Sequence, residues 1–280
     1  MDNKKPFFLA YFGRQHSGKS YDLQRFVKAC GRHTIFVYNS GWDADWQGYE
    51  EIELWSDRKS ETLYFTYKEK DYVFQDSFMK KFKGKRVKAM EADEYLTETL
   101  LFKQLKVKGR YDGIFFIIDD ATNILDTKLT KAQKSCFYRA KHVNVWFCLI
   151  FHDPNMFPNG AWGALTLAKF FKNNVAPPKQ KSDKIPHFRQ LQLAHYKLQR
   201  APDYSFCTLN MNTGQLTYTP YRKPKTNAKS TPKSRKVSKT TAKSKTTTNQ
   251  KRPRKNGGKS TASSSRWKGT KSLWIGLDYF

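Results

Sequence analysis

The octapeptide Gly13-Arg14-Gln15-His16-Ser17-Gly18-Lys19-Ser20 decides the interpretation of this chain. It fits the pattern G-x-x-x-x-G-K-[ST], in which a glycine-rich turn holds the phosphates of a nucleotide. The apolar residues 7–12 before it predict a strand. Residues 21–30 after it carry apolar side chains at helical spacing, with Gly31 as the C-cap. Strand, turn and helix form the context that the motif requires, so we predict a phosphate-binding loop rather than a chance match.

The residue types of the loop specify its chemistry. Gly13 and Gly18 allow a tight turn, so that the backbone N–H groups of residues 13–20 point at the phosphates. Lys19 is expected to reach the β- and γ-phosphates, and the Ser20 hydroxyl to bind Mg²⁺. We interpret His16 as a solvent-facing position inside the loop. ATP and Mg²⁺ are therefore the predicted cofactors.

A second segment supplies groups for hydrolysis. Residues 113–118 predict a buried strand, and it ends in Asp119 and Asp120. In a sheet of parallel strands, ligands bind beyond the carboxyl ends, so both acids are expected near the loop. Asp119 would hold Mg²⁺, directly or through water, and Asp120 would orient or deprotonate the attacking water. The alternative is that the acids merely end the strand and that Asp120 or Thr122 caps the next helix.

Two further residues have two interpretations each. His152 ends the predicted strand 143–151; it could touch the γ-phosphate or be an ordinary satisfied histidine. Arg139 lies in the segment Arg139-Ala140-Lys141-His142. It could stabilise the transferring phosphoryl group across a subunit interface, or be a solvated helix end that complements the helix dipole.

The rest of the pattern predicts an α/β domain, 1–220, with a mostly parallel sheet covered by helices on both faces. We predict further elements along the chain. The further strands are 34–38 and 165–171, the hairpins are 62–67 with 71–74 and 205–209 with 215–218, and the helices are 91–108, 127–140 and 186–200.

Residues 221–272 differ in composition from everything before them. They contain 18 lysines and arginines and no acid, in a chain whose net charge is +28. Such a segment cannot bury enough apolar surface to offset its ordering entropy, so we expect a disordered tail that binds nucleic acid without reading sequence. Lys251-Arg252-Pro253-Arg254-Lys255 also fits a nuclear-import patch in a eukaryotic host. The apolar residues 273–280 would dock on a partner or pack back on the domain.

The four cysteines, Cys30, Cys136, Cys148 and Cys207, lie far apart in apolar surroundings and predict buried free thiols. The longest apolar run, 143–151, is too short to cross a bilayer, and no signal peptide is apparent. We therefore expect a soluble protein of the cell interior, in the cytoplasm or, in a eukaryote, the nucleus.

The order of these parts resembles the HerA–FtsK superfamily of DNA-pumping ATPases. The resemblance covers residues 6 to about 175. It rests on four features: the phosphate-binding loop, the strand ending Asp119-Asp120, the Arg139 segment, and the strand ending at His152. Viral genome-packaging ATPases are the nearest branch, and the zonula-occludens-toxin-like phage assembly ATPases are the second. The resemblance implies a P-loop NTPase fold of the ASCE type (an additional strand between the loop strand and the acidic strand). It also implies a ring, usually a hexamer, that moves DNA through its pore.

Asp120, shorter than the usual glutamate, and His152, in place of glutamine or asparagine, depart from the pattern of this superfamily. The predicted function is ATP-driven DNA translocation in genome packaging, with capsid or membrane-vesicle components as further partners. A nucleotide or nucleoside kinase and a non-catalytic DNA-binding P-loop protein are the alternatives. The sequence shows no arginine-rich lid of the kind a kinase needs, and no transmembrane helix of the kind expected in the phage assembly branch.

Overall fold

The computed structural model describes residues 6–29, 33–38, 46–90, 92 and 94–221. Its centre is a sheet of eleven strands in the order β11-β10-β9-β1-β8-β7-β2-β6-β3-β4-β5. The strands are β1 Phe8–Phe12, β2 Thr34–Tyr38, β3 Glu50–Asp57, β4 Thr62–Tyr67, β5 Lys70–Val73, β6 Arg86–Ala89, β7 Ile114–Ile118, β8 Val145–Phe151, β9 Leu167–Phe171, β10 Phe206–Asn210 and β11 Leu216–Thr219.

Seven neighbouring strands, from β9 to β3 in the sheet order, are parallel. Antiparallel pairs extend both ends: β10 and β11 beyond β9, and β4 and β5 beyond β3. The central strands β1, β2, β7 and β8 are buried at every residue, as their continuous apolar sequences predict. The predicted mostly parallel sheet is therefore confirmed.

Helices cover both faces of the sheet, but unequally. The five α-helices of the described residues are α1 Lys19–Ala29, α2 Phe74–Phe82, α3 Tyr95–Leu105, α4 Lys131–Val143 and α5 Phe188–Gln199. Leu23 and Val27 of α1 pack in one hydrophobic cluster, with residues such as Leu9 and Tyr11 of β1. The other four helices pack in a larger cluster on the opposite face, with Phe8 and Phe12. Successive residues of β1 thus point to opposite faces.

Three elements of the structure are not predicted by the sequence pattern. The sequence does not predict β3 because acidic residues interrupt its apolar pattern. Glu51 and Glu53 are exposed, and they alternate with the buried Ile52 and Leu54. β6 has only four residues. In α2, Phe74, Phe78 and Phe82 lie on one buried face at helical spacing, whereas the sequence pattern places Phe74 in the preceding strand.

Several predicted boundaries were also wrong. The helix predicted over 127–140 begins at residue 131, because Thr130 and Gln133 form a capping box. It ends at Val143, since Asn144 adopts the left-handed conformation as the C-cap, and β8 starts only at Val145. Thr130 is thus the cap of this helix, rather than Asp120 or Thr122.

Cys136 and Cys207 are buried free cysteines, and Cys148 is also buried, as predicted. Burial raises the pKa of the Cys136 and Cys207 thiols, to about 11 for Cys207. Cys30, Gly31, residues 222–272 and the terminal peptide 273–280 lie outside the described residues. The domain boundary at residue 220 remains a prediction. Within the described ranges, no helix is both long and apolar enough to cross a membrane.

Candidate active site

Three adjacent strands bring the candidate residues to one edge of the sheet. The loop 13–20 follows β1, His152 follows β8, and Asp119 and Asp120 follow β7. β8 lies between β1 and β7, in parallel register with both. Their carboxyl ends therefore meet at one edge, which is where sheets of this kind bind ligands. Strand β8 thus lies between β1, which leads into the loop, and β7, which ends in the two acids. This strand order defines the ASCE type.

The loop is tied to the sheet at its start. The Gly13 amide donates to the Phe151 carbonyl at 3.2 Å, and the Arg14 amide donates to the Lys172 carbonyl at 3.1 Å. A Cβ atom on Gly13 would lie 2.7 Å from the Cβ of Phe171. Glycine is therefore required at this position, because the loop backbone runs against β9.

The middle of the loop faces solvent. Arg14, Gln15 and His16 are exposed, whereas Ser17 is buried and its amide donates to the Arg14 carbonyl at 3.3 Å. His16 adopts a φ of 57°, in the left-handed region. An exposed His16 agrees with its interpretation as a solvent-facing position.

Gly18 closes the loop before helix α1. Its φ of 99° is one that a residue with a side chain rarely adopts. A Cβ atom there would also lie 2.8 Å from Cδ1 of Tyr204. The second glycine of the motif is thus required by its own conformation and by the neighbouring tyrosine ring.

Lys19 is buried and fully hydrogen-bonded. Its ammonium nitrogen donates to the carbonyls of Gly13 at 2.6 Å and Arg14 at 2.9 Å, and lies 3.3 Å from Nδ1 of His152. Only 5% of the residue is exposed. Burial lowers its pKa to about 8, although the negative charges of Asp119 and Asp120 oppose this shift.

Asp119 is buried and held by two N–H groups. The Trp46 indole N–H donates to Oδ2 at 2.6 Å, and the Asp120 amide donates to Oδ1 at 3.1 Å. A carboxylate has two oxygens and can accept about four hydrogen bonds or metal contacts. Trp46 therefore fixes the orientation of this carboxylate.

Asp120 lies between the acidic strand and the histidine. Its φ of 47° is in the left-handed region, and the next amide, of Ala121, donates to the Ile150 carbonyl of β8 at 2.8 Å. Oδ1 of Asp120 is 3.8 Å from Nε2 of His152, and Oδ2 accepts a hydrogen bond from the Asn123 side chain at 3.1 Å. The chain thus turns back beside β8 and places this carboxylate next to His152.

The oxygen donors at this edge fit a magnesium ion that is shared with nucleotide phosphates. Mg²⁺ is commonly held by one or two protein oxygens together with phosphate oxygens and water. Ser20 lies in the first turn of α1, and Asp119 follows β7 at the same edge of the sheet. Within the described residues, no group of three or more His, Cys, Asp or Glu side chains forms a metal site by itself.

Arg139 is not part of this cluster. It is exposed on α4, whose other exposed residues include Lys131, Lys134 and Tyr138. Helix α4 starts after the carboxyl edge of β7 and returns to the amino end of β8, so Arg139 lies about 12 Å along the helix from its start. The helix therefore carries Arg139 away from the carboxyl edge of the sheet, where the other candidate residues lie.

Sequence reasoning missed Trp46, Asp203 and Tyr204 at this site. Asp203 pairs with Arg14 at 3.1 Å and with Lys172 at 3.3 Å. The one available signal was that a buried Trp needs a partner for its N–H. No local pattern links Tyr204 to Gly18, because 186 residues of chain separate them.

The fold has counterparts among solved structures. The genome packaging NTPase B204 from Sulfolobus turreted icosahedral virus 2, in complex with AMPPCP, is similar with a TM-score of 0.57 and 13% identity, over 78% of this chain and 99% of that chain. The DNA-packaging ATPase B204 from Sulfolobus turreted icosahedral virus is similar with a TM-score of 0.55 and 14% identity, over 78% of this chain and 100% of that chain. The chain shares the P-loop NTPase fold of these proteins.

This likeness is one of fold, and it agrees with the resemblance inferred from the sequence. The N-terminal domain of zonular occludens toxin from Neisseria meningitidis shows a weaker likeness, with a TM-score of 0.43 and 9% identity, over 79% of this chain and 96% of that chain. No protein-family model matches the sequence, and no curated protein is significantly similar to it.

Proposed function

We propose that this chain hydrolyses ATP and uses the energy to move DNA during the packaging of a viral genome. The observation that carries the hydrolytic part is the contact of Lys19, His152 and Asp120 across three adjacent strands. Phosphoryl transfer to water uses a phosphate-binding lysine and a group that positions or deprotonates the water, and Lys19 and Asp120 supply both at one sheet edge.

The residues have distinct roles in this proposal. The loop amides and Lys19 bind the phosphates. Asp120 accepts a proton from the attacking water. At the same time the water oxygen bonds to the γ-phosphorus, and the bond between the γ-phosphorus and the oxygen that bridges to the β-phosphate breaks. Ser20 and Asp119 would hold Mg²⁺, which neutralises charge that develops on the phosphates. Trp46 keeps Asp119 in place through its indole N–H.

Phosphate binding would also change the surroundings of His152. The ammonium group of Lys19 has three N–H donors, of which two go to loop carbonyls and the third faces His152. A phosphate oxygen must compete with His152 for that third donor. His152 would thus respond directly to occupation of the phosphate site.

DNA as the partner is supported by charge and by likeness. The chain has a net charge of +28, and 18 cations lie in residues 221–272. Such charge binds phosphate backbones by releasing counterions. The similar B204 protein is described as a DNA-packaging ATPase. We propose a ring, most simply a hexamer, that acts in the host cell interior, with capsid or vesicle components as further partners.

ATP hydrolysis with and without added DNA is the decisive experiment. The proposal expects turnover that rises when DNA of any sequence is added and that Lys19→Ala abolishes while the far-UV circular dichroism is unchanged. A kinase would transfer phosphate to a nucleotide or nucleoside and ignore DNA. A non-catalytic binding protein would bind DNA without turnover, and either result would overturn the proposal.

The ring would place Arg139 at a neighbour's nucleotide. Arg139→Ala and Lys19→Ala are each expected to be inactive when assembled alone, whereas a mixture should regain part of the turnover, because some interfaces then carry both groups. Sedimentation must show that the mixed assembly forms. An assembled mixture without turnover would contradict a role of Arg139 across the interface.

The role of the basic tail in DNA binding can be tested by removing residues 223–280. Basal hydrolysis should persist, since the site lies within the described domain, and DNA affinity should fall. The slope of log affinity against log salt should decrease by about 0.9 for each duplex phosphate that the shortened chain no longer neutralises, with little dependence on base sequence. Equal affinity and slope for both chains would show that the charge serves another partner.

A further inference from the structure

If the proposed function holds, the positions of the catalytic groups determine how a nucleotide is oriented on the phosphate-binding loop. Asp119, Asp120 and His152 all lie on the β7–β8 side of the phosphate-binding loop. The terminal phosphate must face these groups for water to be activated there. The nucleoside end must then leave the loop on its other side, toward β9 and β10.

A short turn on that other side is fixed against the loop. It comprises residues 202–205, and the Ser205 amide donates to the Pro202 carbonyl at 3.2 Å. Asp203 in this turn forms ion pairs with Arg14 of the loop and with Lys172 at the end of β9. The turn is therefore held in place by the loop itself and by the strand beside it.

Tyr204 extends from this turn over the end of the loop. Its ring reaches to within 2.8 Å of the place where a Cβ of Gly18 would stand. Its φ of 67° lies in the left-handed region, which a bulky residue rarely adopts. Backbone strain of this kind often occurs at functional sites, where the surrounding structure maintains it.

A second aromatic ring lies beside Tyr204. The ring centroids of Tyr204 and Tyr221 are 5.2 Å apart, at an interplanar angle of 45°. The Tyr221 amide donates to the Ser205 hydroxyl at 3.0 Å, so both rings are anchored to the same turn. Both remain accessible, with 48% of Tyr204 and 38% of Tyr221 exposed.

We propose that Tyr204 and Tyr221 form the site for the base of the bound nucleoside triphosphate. Bases stack on aromatic rings through their π-faces, and rings held in advance lose little conformational entropy on binding. The phenol groups carry no charge and offer no rigid set of donors and acceptors. The site would therefore favour large purines over pyrimidines, and would distinguish adenine from guanine only weakly.

Comparison of two ligands separates the base from the phosphates. Binding of ATP and of inorganic tripolyphosphate to the full-length protein is measured by calorimetry with Mg²⁺. Tyr204→Ala should weaken ATP binding by about tenfold, within the range of about 5-fold to 150-fold expected when one stacking partner is removed. Tripolyphosphate binding should not change, because it has no base.

Three further variants complete the test. Tyr204→Phe should bind ATP like the parent because it keeps the ring, and it controls for folding together with the melting temperatures. Tyr221→Ala should weaken ATP binding without affecting tripolyphosphate. Tyr95→Ala removes a more exposed tyrosine from α3 and should change the binding of neither ligand.

Four outcomes would overturn the base site. Equal weakening of both ligands by Tyr204→Ala would mean that the ring only supports the loop at Gly18. Unchanged binding of ATP would place the base elsewhere. Reduced affinity for single-stranded DNA with intact ATP binding would assign the rings to DNA. A parent protein that binds neither ligand would instead overturn the proposed function, and the base site with it.

Discussion

Nδ1 of His152 lies 3.3 Å from the ammonium nitrogen of Lys19. A lysine ammonium group only donates, so Nδ1 must be the acceptor and the ring proton of a neutral His152 lies on Nε2. That nitrogen faces Oδ1 of Asp120 at 3.8 Å. The histidine thus connects the phosphate-binding lysine to the carboxylate proposed as the base.

ATP binding should take up a proton at alkaline pH. The pKa of Lys19 is lowered to about 8 by burial, so at pH 9 most unliganded molecules carry a neutral Lys19. Nucleotide phosphates favour the charged form and raise this pKa again, so the proton uptake should be much larger at pH 9 than at pH 7. Affinity for ATP should accordingly decline as the pH rises through 8.

Calorimetry in buffers of different ionisation enthalpy, without Mg²⁺, measures this uptake. Lys19→Met, which cannot titrate, is the matched control and should lack the difference between pH 7 and pH 9. The same uptake in parent and variant would show that another group titrates.

The two acids should differ when each is replaced by the isosteric amide. Asp120→Asn should bind ATP normally and hydrolyse it about 10²–10⁴ times more slowly, because the proposed base is removed. Asp119→Asn should mainly raise the Mg²⁺ concentration needed for half-maximal turnover. A Mg²⁺ titration of single-turnover rates distinguishes the two, and parental rates in both variants would assign the acids a structural role only.

Trp46→Phe should weaken the site through Asp119. The phenyl ring keeps much of the packing and removes the N–H that donates to Oδ2. Loss of a buried hydrogen bond to a charged group should cost about 1–3 kcal/mol in the free energy of unfolding, and should raise the Mg²⁺ requirement. Urea unfolding and Mg²⁺ titrations are the measurements.

Trp55→Phe is the matched control for Trp46→Phe. Its indole N–H donates to the Thr66 hydroxyl, which links β3 and β4 away from the site. This control should leave the Mg²⁺ requirement unchanged. If both variants shift it equally, the effect is not due to the bond with Asp119.

Helix α1 should depend on one ion pair with the sheet. Lys169 of β9 donates to Oδ2 of Asp22 at 2.7 Å, the Tyr11 hydroxyl donates to the same oxygen at 2.8 Å, and both charged side chains are largely buried. Lys169→Met leaves a carboxylate without its cation and should lower the free energy of unfolding by about 1.5–3 kcal/mol.

Two comparisons make the Lys169→Met result specific. Adding Asp22→Asn should recover part of the stability, because the unpaired charge is then removed. Arg58→Met breaks the exposed pair with Glu94 and should cost much less, because solvent screens this pair. Equal losses of stability in Lys169→Met and Arg58→Met would show that burial of the pair does not matter.

Several features followed from local pattern alone. Gly13 to Ser20 match a motif whose loop geometry depends on glycine backbones, and the apolar run before Asp119 could be buried only as a central strand. These patterns also indicated the parallel sheet and the carboxyl ends of β1, β7 and β8, since a short apolar run that polar residues follow is typical of a buried strand. The elements missed, β3, β6 and α2, have interrupted or short patterns.

The sequence by itself determined the phosphate-binding loop, the acidic strand and the class of fold, because each is encoded within about ten consecutive residues. Only the tertiary structure decided which side chains complete the site. Trp46 meets Asp119, Tyr204 covers Gly18, and His152 contacts Lys19 across 133 residues of chain. These contacts arise from the order of the strands in the sheet, which depends on packing over the whole domain and leaves no periodic signal in the sequence.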